Sequence, residues 1–107
     1  MLAGRQGHTM KKLTGKQNRH LRALGHHIKP VAQVGQRGVH ESVVEKIKEE
    51  LEHHELIKVK VGQDSLDSPK EIGAQLAEAC DAFVAQVIGR TILLYRPRDN
   101  DPEITLP

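Results

Sequence analysis

The strongest constraint on the fold is the alternation along the chain between helix-like and strand-like hydrophobic patterns. Three segments carry apolar residues at helical spacing, and four short segments are apolar or alternating, as in strands. In chain order these are residues 14–24, 31–34, 40–53, 56–61, 68–80, 82–88 and 91–95. The predicted order is therefore α-β-α-β-α-β-β. Because strands separated by helices need crossover connections, we expect an α/β fold of the two-layer α+β type, with a four-stranded mixed sheet and three packed helices.

Start and turn signals support these boundaries. Thr14 with Gln17, and Ser68 with Glu71, have the spacing of a capping box, in which each residue of the pair satisfies a free backbone N–H of the other. Residues 89–90, Gly-Arg, have the length of a hairpin turn. The sequence thus predicts where two of the helices begin and where the last two strands pair.

The clearest strand pattern lies between residues 56 and 61. Ile57, Val59 and Val61 alternate there with Lys58 and Lys60. Because successive side chains of a strand point to opposite faces of the sheet, we expect one buried face and one basic face directed toward solvent.

The length of the chain limits it to one domain, since 107 residues can bury one core and no second one. We expect residues 1–9 to be a disordered leader or vector-derived segment, residues 10–97 the domain, and residues 98–107 an irregular tail. No apolar run approaches the roughly 20 residues of a membrane span. The single cysteine, Cys80, lies in an apolar helical pattern, so we expect a buried thiol and a cytoplasmic protein. Without a coiled-coil repeat, a monomer is expected.

Charge is distributed unevenly. Residues 1–40 hold eight basic residues and no acid, whereas residues 41–107 hold eight basic and fourteen acidic residues. The basic residues of the first part are Arg5, Lys11, Lys12, Lys16, Arg19, Arg22, Lys29 and Arg37. A polyanion would bind one pole of such a molecule and be repelled by much of the rest, so the charge pattern favours a nucleic-acid partner.

A Gly-x-x-Gly sequence, residues 35–38, follows the first predicted strand and precedes the second helix. The two glycines let the backbone turn sharply and approach a bulky partner, and the following helix offers free N–H groups. On spacing alone, a tight turn with a helix cap is the commoner explanation. Its place in the acid-free segment favours binding to a phosphate backbone. The predicted contact residues are Gly35, Gln36, Arg37, Gly38, Lys11, Lys12, Lys16, Arg19, Arg22 and Lys29.

Other chemistries find little support in the sequence. Only Phe83 and Tyr95 are aromatic, and both lie in apolar strand patterns, so base stacking on exposed rings is not expected. The seven histidines show no HxxxH or HExxH spacing, so no metal site is predicted. The sequence contains no nucleophile elbow or Walker loop, which predicts a protein without enzymatic activity, cofactor or small-molecule substrate.

The second predicted helix is acidic. Glu41, Glu45, Glu49 and Glu52 fall at helical spacing and are expected to form a solvated face. The alternative to nucleic-acid binding is therefore a protein-interaction adaptor that uses this helix and whose basic pole is incidental.

Several stretches together resemble the CRM domain family, named for chloroplast RNA splicing and ribosome maturation, and in particular its stand-alone bacterial YhbY-like members. The resemblance covers nearly all of residues 12–107. The matching stretches are LTGKQ at 13–17, KP at 29–30 leading to VGQRG at 34–38, HHELIKVKV at 53–61, QVIG at 86–89 and LYRP at 94–97.

The resemblance implies a fold similar to the C-terminal domain of bacterial translation initiation factor three. It also implies RNA binding through residues 35–38 and, for the stand-alone members, association with ribosomal RNA of the large-subunit precursor and a role in ribosome assembly. His40 departs from the family pattern, in which Thr or Ser commonly follows the loop, and this affects the expected capping of the second helix. The residues that would extend the RNA surface are Lys58, Lys60, Arg90 and Arg96.

Overall fold

Residues 12–107 of the chain are described by a computed structural model, and the predicted leader, residues 1–9, lies outside this range. The described residues form seven elements: α1 (Gly15–Gly25), β1 (Pro30–Val34), α2 (Glu41–His54), β2 (Leu56–Val61), α3 (Pro69–Cys80), β3 (Phe83–Ile88) and β4 (Thr91–Tyr95). Each predicted boundary lies within one residue of the observed one. The predicted class, with three helices and a four-stranded mixed sheet, is confirmed.

Two of the three helices begin with the predicted capping boxes. The Thr14 hydroxyl accepts a hydrogen bond from the backbone N–H of Gln17, and the Gln17 side chain accepts one from the N–H of Thr14, both at 3.1 Å. Ser68 and Glu71 exchange the equivalent bonds at the start of α3. His40, at the N-cap of α2, makes no capping bond with its side chain, so α2 begins without this stabilisation.

The four strands form one sheet in the order β1-β2-β4-β3. β1 and β2 are parallel, whereas β4 is antiparallel to both of its neighbours. The turn at residues 89–90 joins β3 to β4, and Gly89 adopts a left-handed φ of 56° that favours glycine. The backbone N–H of Val61 bonds the carbonyl of Arg90 at 2.7 Å, which places this turn beside the end of β2. The segments that follow β1 and β2 and the turn between β3 and β4 all lie at this edge of the sheet. We call this edge, with residues 35–38, 62–68 and 89–90, the loop edge.

Helices pack on both faces of the sheet. α2 and α3 cover one face, which we call the α2/α3 face, and bury the larger core cluster: Val34, Ile47, Leu51, Ile57, Val59, Val61, Ile72, Leu76, Cys80, Ile92 and Leu94. α1 lies on the opposite face, the α1 face, and buries a smaller cluster: Leu13, Leu21, Leu56, Ala85, Leu93 and Tyr95. This second packing surface adds a third layer to the two that were expected, because α1 has its own apolar stripe to bury.

The alternation predicted for β2 is present, with one difference. Ile57, Val59 and Val61 are fully buried beneath α2 and α3, and Lys60 is exposed on the other side, as expected. Lys58 is only half-exposed. Because α1 covers part of the second face, that face is not open to solvent along its whole length.

The C-terminal residues 96–107 contain no helix or strand, yet they are anchored to the domain. Glu55 is completely buried, and its carboxylate accepts hydrogen bonds from the backbone N–H groups of Arg98, Glu103 and Ile104 at 2.7–2.8 Å. Ile104 and Leu106 pack against the smaller core cluster. The tail is thus held against the domain by a buried carboxylate and by apolar packing.

No helix within residues 12–107 has the length and apolar character needed to cross a membrane.

Candidate nucleic-acid interface

The Gly-x-x-Gly loop, residues 35–38, forms a tight turn between β1 and α2. The backbone N–H of Gly38 bonds the carbonyl of Gly35 at 3.0 Å, and the N–H of His40 bonds the carbonyl of Gly38 at 3.1 Å. Gly38 has a φ of +71°, a conformation that residues with a side chain rarely adopt. Gln36 and Arg37 are exposed at the tip, so a partner can reach both side chains.

The loop is held beside the end of β2. The backbone N–H of Gly62 bonds the carbonyl of Val34 at 2.8 Å, which fixes the start of the loop. The exposed Asp64 lies close by, since a Cβ atom placed on Gly35 would be 3.5 Å from each of its carboxylate oxygens. Asp64 therefore brings a negative charge next to Gly35, whereas Arg37 supplies a positive charge at the tip. Sequence reasoning did not identify this acid, because only the pairing of β1 with β2 brings it to the loop.

The predicted basic residues of α1 share its exposed side. Lys16, Arg19 and Arg22 are all exposed, and residues three apart on a helix lie near one another. Leu21 points the other way and is fully buried against the sheet. Lys12 is exposed just before the helix, and α1 contains no acidic residue. The exposed side of α1 therefore carries positive charges and no negative charge.

The sheet adds two lysines to the same side of the molecule. Lys58 lies opposite Leu93, and Lys60 lies opposite Thr91, in the antiparallel β2–β4 pair. Directly opposed residues point to the same face of a sheet. Leu93 is buried beneath α1, since a Cβ atom on Gly25 would be 2.8 Å from its Cδ1 atom. Lys58 and Lys60 thus extend the positive surface from the end of α1 toward the loop edge.

Two of the predicted contact residues lie at the opposite edge of the sheet. Lys29 precedes β1 and Arg96 follows β4, so both are far along the strands from the loop edge. Arg96 lies beside the α2/α3 face, in a cleft that also includes Glu52 and Cys80. Contacts by these two residues stay predictions, and Lys11 lies outside the described residues.

Arg90 is engaged inside the protein. Its Nε donates a hydrogen bond to the carbonyl of Val61 at 2.9 Å, and an Nη group donates one to the carbonyl of Gly62. These bonds join the hairpin turn to the end of β2. The residue thus supports the loop edge, and any direct contact with a partner stays a prediction.

The α2/α3 face has the opposite charge. α2 and α3 together carry seven acidic and three basic residues. Glu41, Glu45, Glu49 and Glu52 are all exposed, as predicted. The acidic face and the basic face are therefore separated by the sheet.

The two aromatic residues contribute to packing. Tyr95 is 2% exposed and lies 6.4 Å from the ring of the half-buried Phe83, measured between ring centroids. Burial raises the pKa of the Tyr95 phenol to about 12, with a further contribution from the Glu55 carboxylate. Burial likewise raises the pKa of the Cys80 thiol, opposed by the nearby charges of Lys48 and Arg96. The predicted buried positions of Tyr95 and Cys80 are confirmed.

Metal ligands do not cluster in the described part of the chain. Within residues 12–107, no three His, Cys, Asp or Glu side chains are placed to hold a metal ion. The adjacent His26 and His27 rings meet edge to face, with centroids 5.2 Å apart. His53 instead pairs through Nδ1 with the backbone carbonyl of Glu49 at 2.9 Å.

Comparison with known proteins gives a consistent result. Residues 13–96 match the model of the CRS1 / YhbY (CRM) domain. The chain is 46% identical over 92 residues to the probable RNA-binding protein MJ0652 of Methanocaldococcus jannaschii, covering 84% of this chain and 68% of that protein. It is 40% identical over 95 residues to the probable RNA-binding protein YqeI of Bacillus subtilis, covering 89% of this chain and 99% of YqeI.

A solved structure shows the same fold. The solution structure of the hypothetical protein SAV1595 from Staphylococcus aureus superposes with a TM-score of 0.77 at 45% sequence identity. The match covers 89% of this chain and 99% of that protein. With a domain match over most of its length and a relative of similar size, YqeI, this chain belongs to the CRS1 / YhbY (CRM) domain family.

Proposed function

We propose that this protein binds RNA without catalysing a reaction, that its target is ribosomal RNA of the large-subunit precursor, and that it assists ribosome assembly in the cytoplasm. The observation that carries the proposal is the arrangement of one surface. The Gly-x-x-Gly loop, the lysines of β2 and the basic side of α1 lie on or beside one face of the sheet, and no acidic residue occurs in α1 or in any of the four strands.

The loop supplies a place for the sugar-phosphate backbone. Its backbone turns within four residues and exposes Gln36 and Arg37 at the tip. Loops of this kind clamp a nucleotide backbone in KH domains, where they approach the chain closely because glycine has no side chain. Arg37 can pair with a phosphate group through a charge-assisted hydrogen bond.

The basic side chains supply affinity and orientation. Phosphate contacts by Lys and Arg release counterions, so binding through this surface has to weaken steeply as salt is added. The acidic α2/α3 face repels the same polyanion. A nucleic acid is therefore directed to the α1 face and to the loop tip at Gln36 and Arg37, and it is repelled from the acidic helices.

The relatives support RNA as the partner class. MJ0652 and YqeI are named probable RNA-binding proteins, and a Haemophilus influenzae relative, 38% identical over 98 residues, is named an RNA-binding protein. The ribosomal target and the assembly role rest on the resemblance to stand-alone YhbY-like proteins. In that role, the protein would hold an RNA segment in place until assembly proceeds, with no covalent chemistry.

The test is an anisotropy titration of a structured large-subunit ribosomal RNA fragment at several salt concentrations. The native protein is compared with a Gln36→Asp, Arg37→Glu variant, whose two substituted side chains are exposed and whose glycines are kept. We expect a clear inverse dependence of affinity on salt for the native protein and a loss of about tenfold or more for the variant. A mixed-sequence RNA of equal length tests whether the ribosomal fragment is preferred.

The control is Lys46→Glu with Lys48→Glu, both on α2, which lowers the net charge by four units against three for the loop variant. These residues are exposed on the acidic side, so affinity should change little. Equal, weak binding by the native protein and the loop variant would contradict the RNA proposal. The adaptor hypothesis, with the exposed acids of α2 as the working surface, would then be favoured.

A further inference from the structure

The part of the α1 face that α1 leaves uncovered carries one row of side chains across all four strands. Lys60 lies opposite Thr91 on β4 and level with Gln33 on β1, and Thr91 lies opposite Ile88 on β3. Aligned residues of neighbouring strands point to the same face and are about 4.8 Å apart. Gln33, Lys60, Thr91 and Ile88 therefore form a strip, which we call the open row, roughly 14 Å long.

The open row is bounded by α1 on one side and by the loop edge on the other. The next residues toward α1 that point to the same face are Lys58, Leu93 and Gln86. Leu93 is 2% exposed beneath Gly25, whereas Lys58 and Gln86 are half-buried. In the opposite direction the strands end within a residue or two, at residues 35–38 and 89–90. The open row thus lies between α1 and the loop edge, and it continues into the half-buried Lys58.

The chemistry of the open row is mixed and contains no acid. Lys60 is exposed in the middle, and Gln33 is exposed at the β1 end. Ile88, at the β3 end, is 63% exposed, and within residues 12–107 only Leu66 exposes a larger fraction of a large apolar side chain. The row therefore offers a positive charge and an amide next to an apolar group.

The apolar part of such a surface can contact unpaired RNA in a way that it cannot contact a duplex. A duplex presents phosphates and 2′-hydroxyls at its surface and keeps the apolar faces of its bases stacked inside, whereas an unpaired nucleotide exposes base faces and base edges.

We propose that the open row binds an unpaired stretch of the RNA strand whose backbone the Gly-x-x-Gly loop grips. Lys60 contacts a phosphate, Ile88 packs on the face of an unpaired base, and Gln33 and Thr91 hydrogen bond to base edges or ribose hydroxyls. No exposed aromatic ring is required for this contact. The inference rests on the proposed RNA-binding function and adds to it a substrate class: RNA with unpaired nucleotides beside a helical region.

The test uses two RNA probes that differ only in an unpaired segment: a hairpin with an unpaired oligouridine extension and the same hairpin with a flush end. We expect the native protein to bind the extended hairpin about fivefold more tightly, as one exposed aliphatic contact allows. A Gln33→Ala, Ile88→Ser variant should lose most of this preference and bind the flush hairpin as the native protein does, since only Lys60 and Thr91 still contact the unpaired strand. Both changes are neutral, so the salt dependence should stay the same.

A matched control is Gln63→Ala with Leu66→Ser. These residues have the same chemical types and are exposed at the same edge, with Leu66 84% exposed, but they lie outside the open row. Retention of the preference by this control supports the assignment to the row, and loss of the preference would overturn it.

The remaining outcomes separate the inference from the proposed function. If the native protein binds both hairpins equally, and the Gln36→Asp, Arg37→Glu variant weakens both, the inference fails and RNA binding stands. The inference also fails if the Gln33→Ala, Ile88→Ser variant keeps the preference. If the native protein binds neither RNA, both proposals are overturned.

Discussion

The two faces of the sheet differ in both packing and charge. The α2/α3 face buries eleven residues in the larger core cluster beneath helices that carry seven acids, whereas the α1 face buries six residues beneath a helix without acids. Most of the buried apolar surface, and with it most of the hydrophobic stabilisation, is thus on the acidic side. The basic side buries fewer side chains, so its exposed lysines and arginines are available to a partner. This division predicts that stability and binding can be changed separately.

The largest expected effect is on RNA affinity. Reversing three charges on the basic side, in an Arg19→Glu, Arg22→Glu, Lys60→Glu variant, should weaken RNA binding on the order of a hundredfold at moderate salt, because phosphate attraction becomes repulsion. The salt dependence of the affinity should also become shallower. Titration at several salt concentrations measures both quantities, and circular dichroism reports whether the fold is kept.

The matched variant reverses three charges on the acidic side, with Lys46→Glu, Lys48→Glu and Lys70→Glu. The change in net charge is identical, but these residues lie on α2 and α3. We expect a loss of less than about fivefold from the long-range field alone. Equal losses in the two variants would show that net charge, and not the face, governs binding.

The second prediction concerns the anchor of the C-terminal tail. Glu55→Gln replaces a buried carboxylate that accepts three backbone hydrogen bonds, so the free energy of unfolding should fall by about 2 kcal/mol. Chemical denaturation measures this loss. Hydrogen exchange should show faster exchange of the Arg98, Glu103 and Ile104 amides. Glu49→Gln, at an exposed position, should change stability by no more than about 0.5 kcal/mol.

The third prediction concerns Tyr95, on the α1 face. It is the only tyrosine, and the chain has no tryptophan, so ultraviolet absorbance follows its ionisation directly. The folded phenol should ionise near a pKa of about 12, whereas the unfolded phenol ionises near the usual 10.0. The unfolded state therefore loses its proton first, and stability should fall as pH rises from 10 to 12 but be unaffected by this group at neutral pH. A folded-state pKa near 10 would contradict the burial seen for Tyr95.

The smallest effects compare how closely the helices approach the sheet on its two faces. A Cβ atom on Gly25 of α1 would be 2.8 Å from Leu93 Cδ1, whereas one on Gly73 of α3 would be 3.6 Å from Ile92 Cγ2, an ordinary contact. We expect Gly25→Ala to destabilise the protein by about 1 kcal/mol, since the buried Leu93 has to move. Gly73→Ala should stabilise it by about 0.5 kcal/mol, because alanine favours the helix. Thermal unfolding of both variants would show whether α1 is the more closely packed helix.

Much of the fold could be predicted from local patterns. The capping boxes at Thr14 and Ser68 and the alternation of β2 are local signals, and they gave element boundaries to within a residue. The role of Glu55 could not be predicted in this way. Its sequence position, at the end of an acidic helix, resembles that of the exposed Glu52, and only the path of the tail buries its carboxylate.

The candidate site was predicted only in part. The Gly-x-x-Gly loop and the basic first helix could be identified from spacing and charge, because both are contiguous in sequence. The Asp64 carboxylate beside Gly35 and the open row depend on residues far apart in the chain. Strand register brings them together, and no local pattern encodes it.

The sequence by itself determined the element order, the helix starts, the buried face of β2 and the separation of basic from acidic segments, because each depends on neighbouring residues and on hydrophobic periodicity. Only the tertiary structure decided that α1 packs on the face opposite α2 and α3, that Lys58 and Lys60 lie on the α1 side, and that Lys29 and Arg96 lie away from the loop edge. These outcomes depend on which strands pair and on which face each helix covers. They are set by long-range packing of the whole core, to which every element contributes at once.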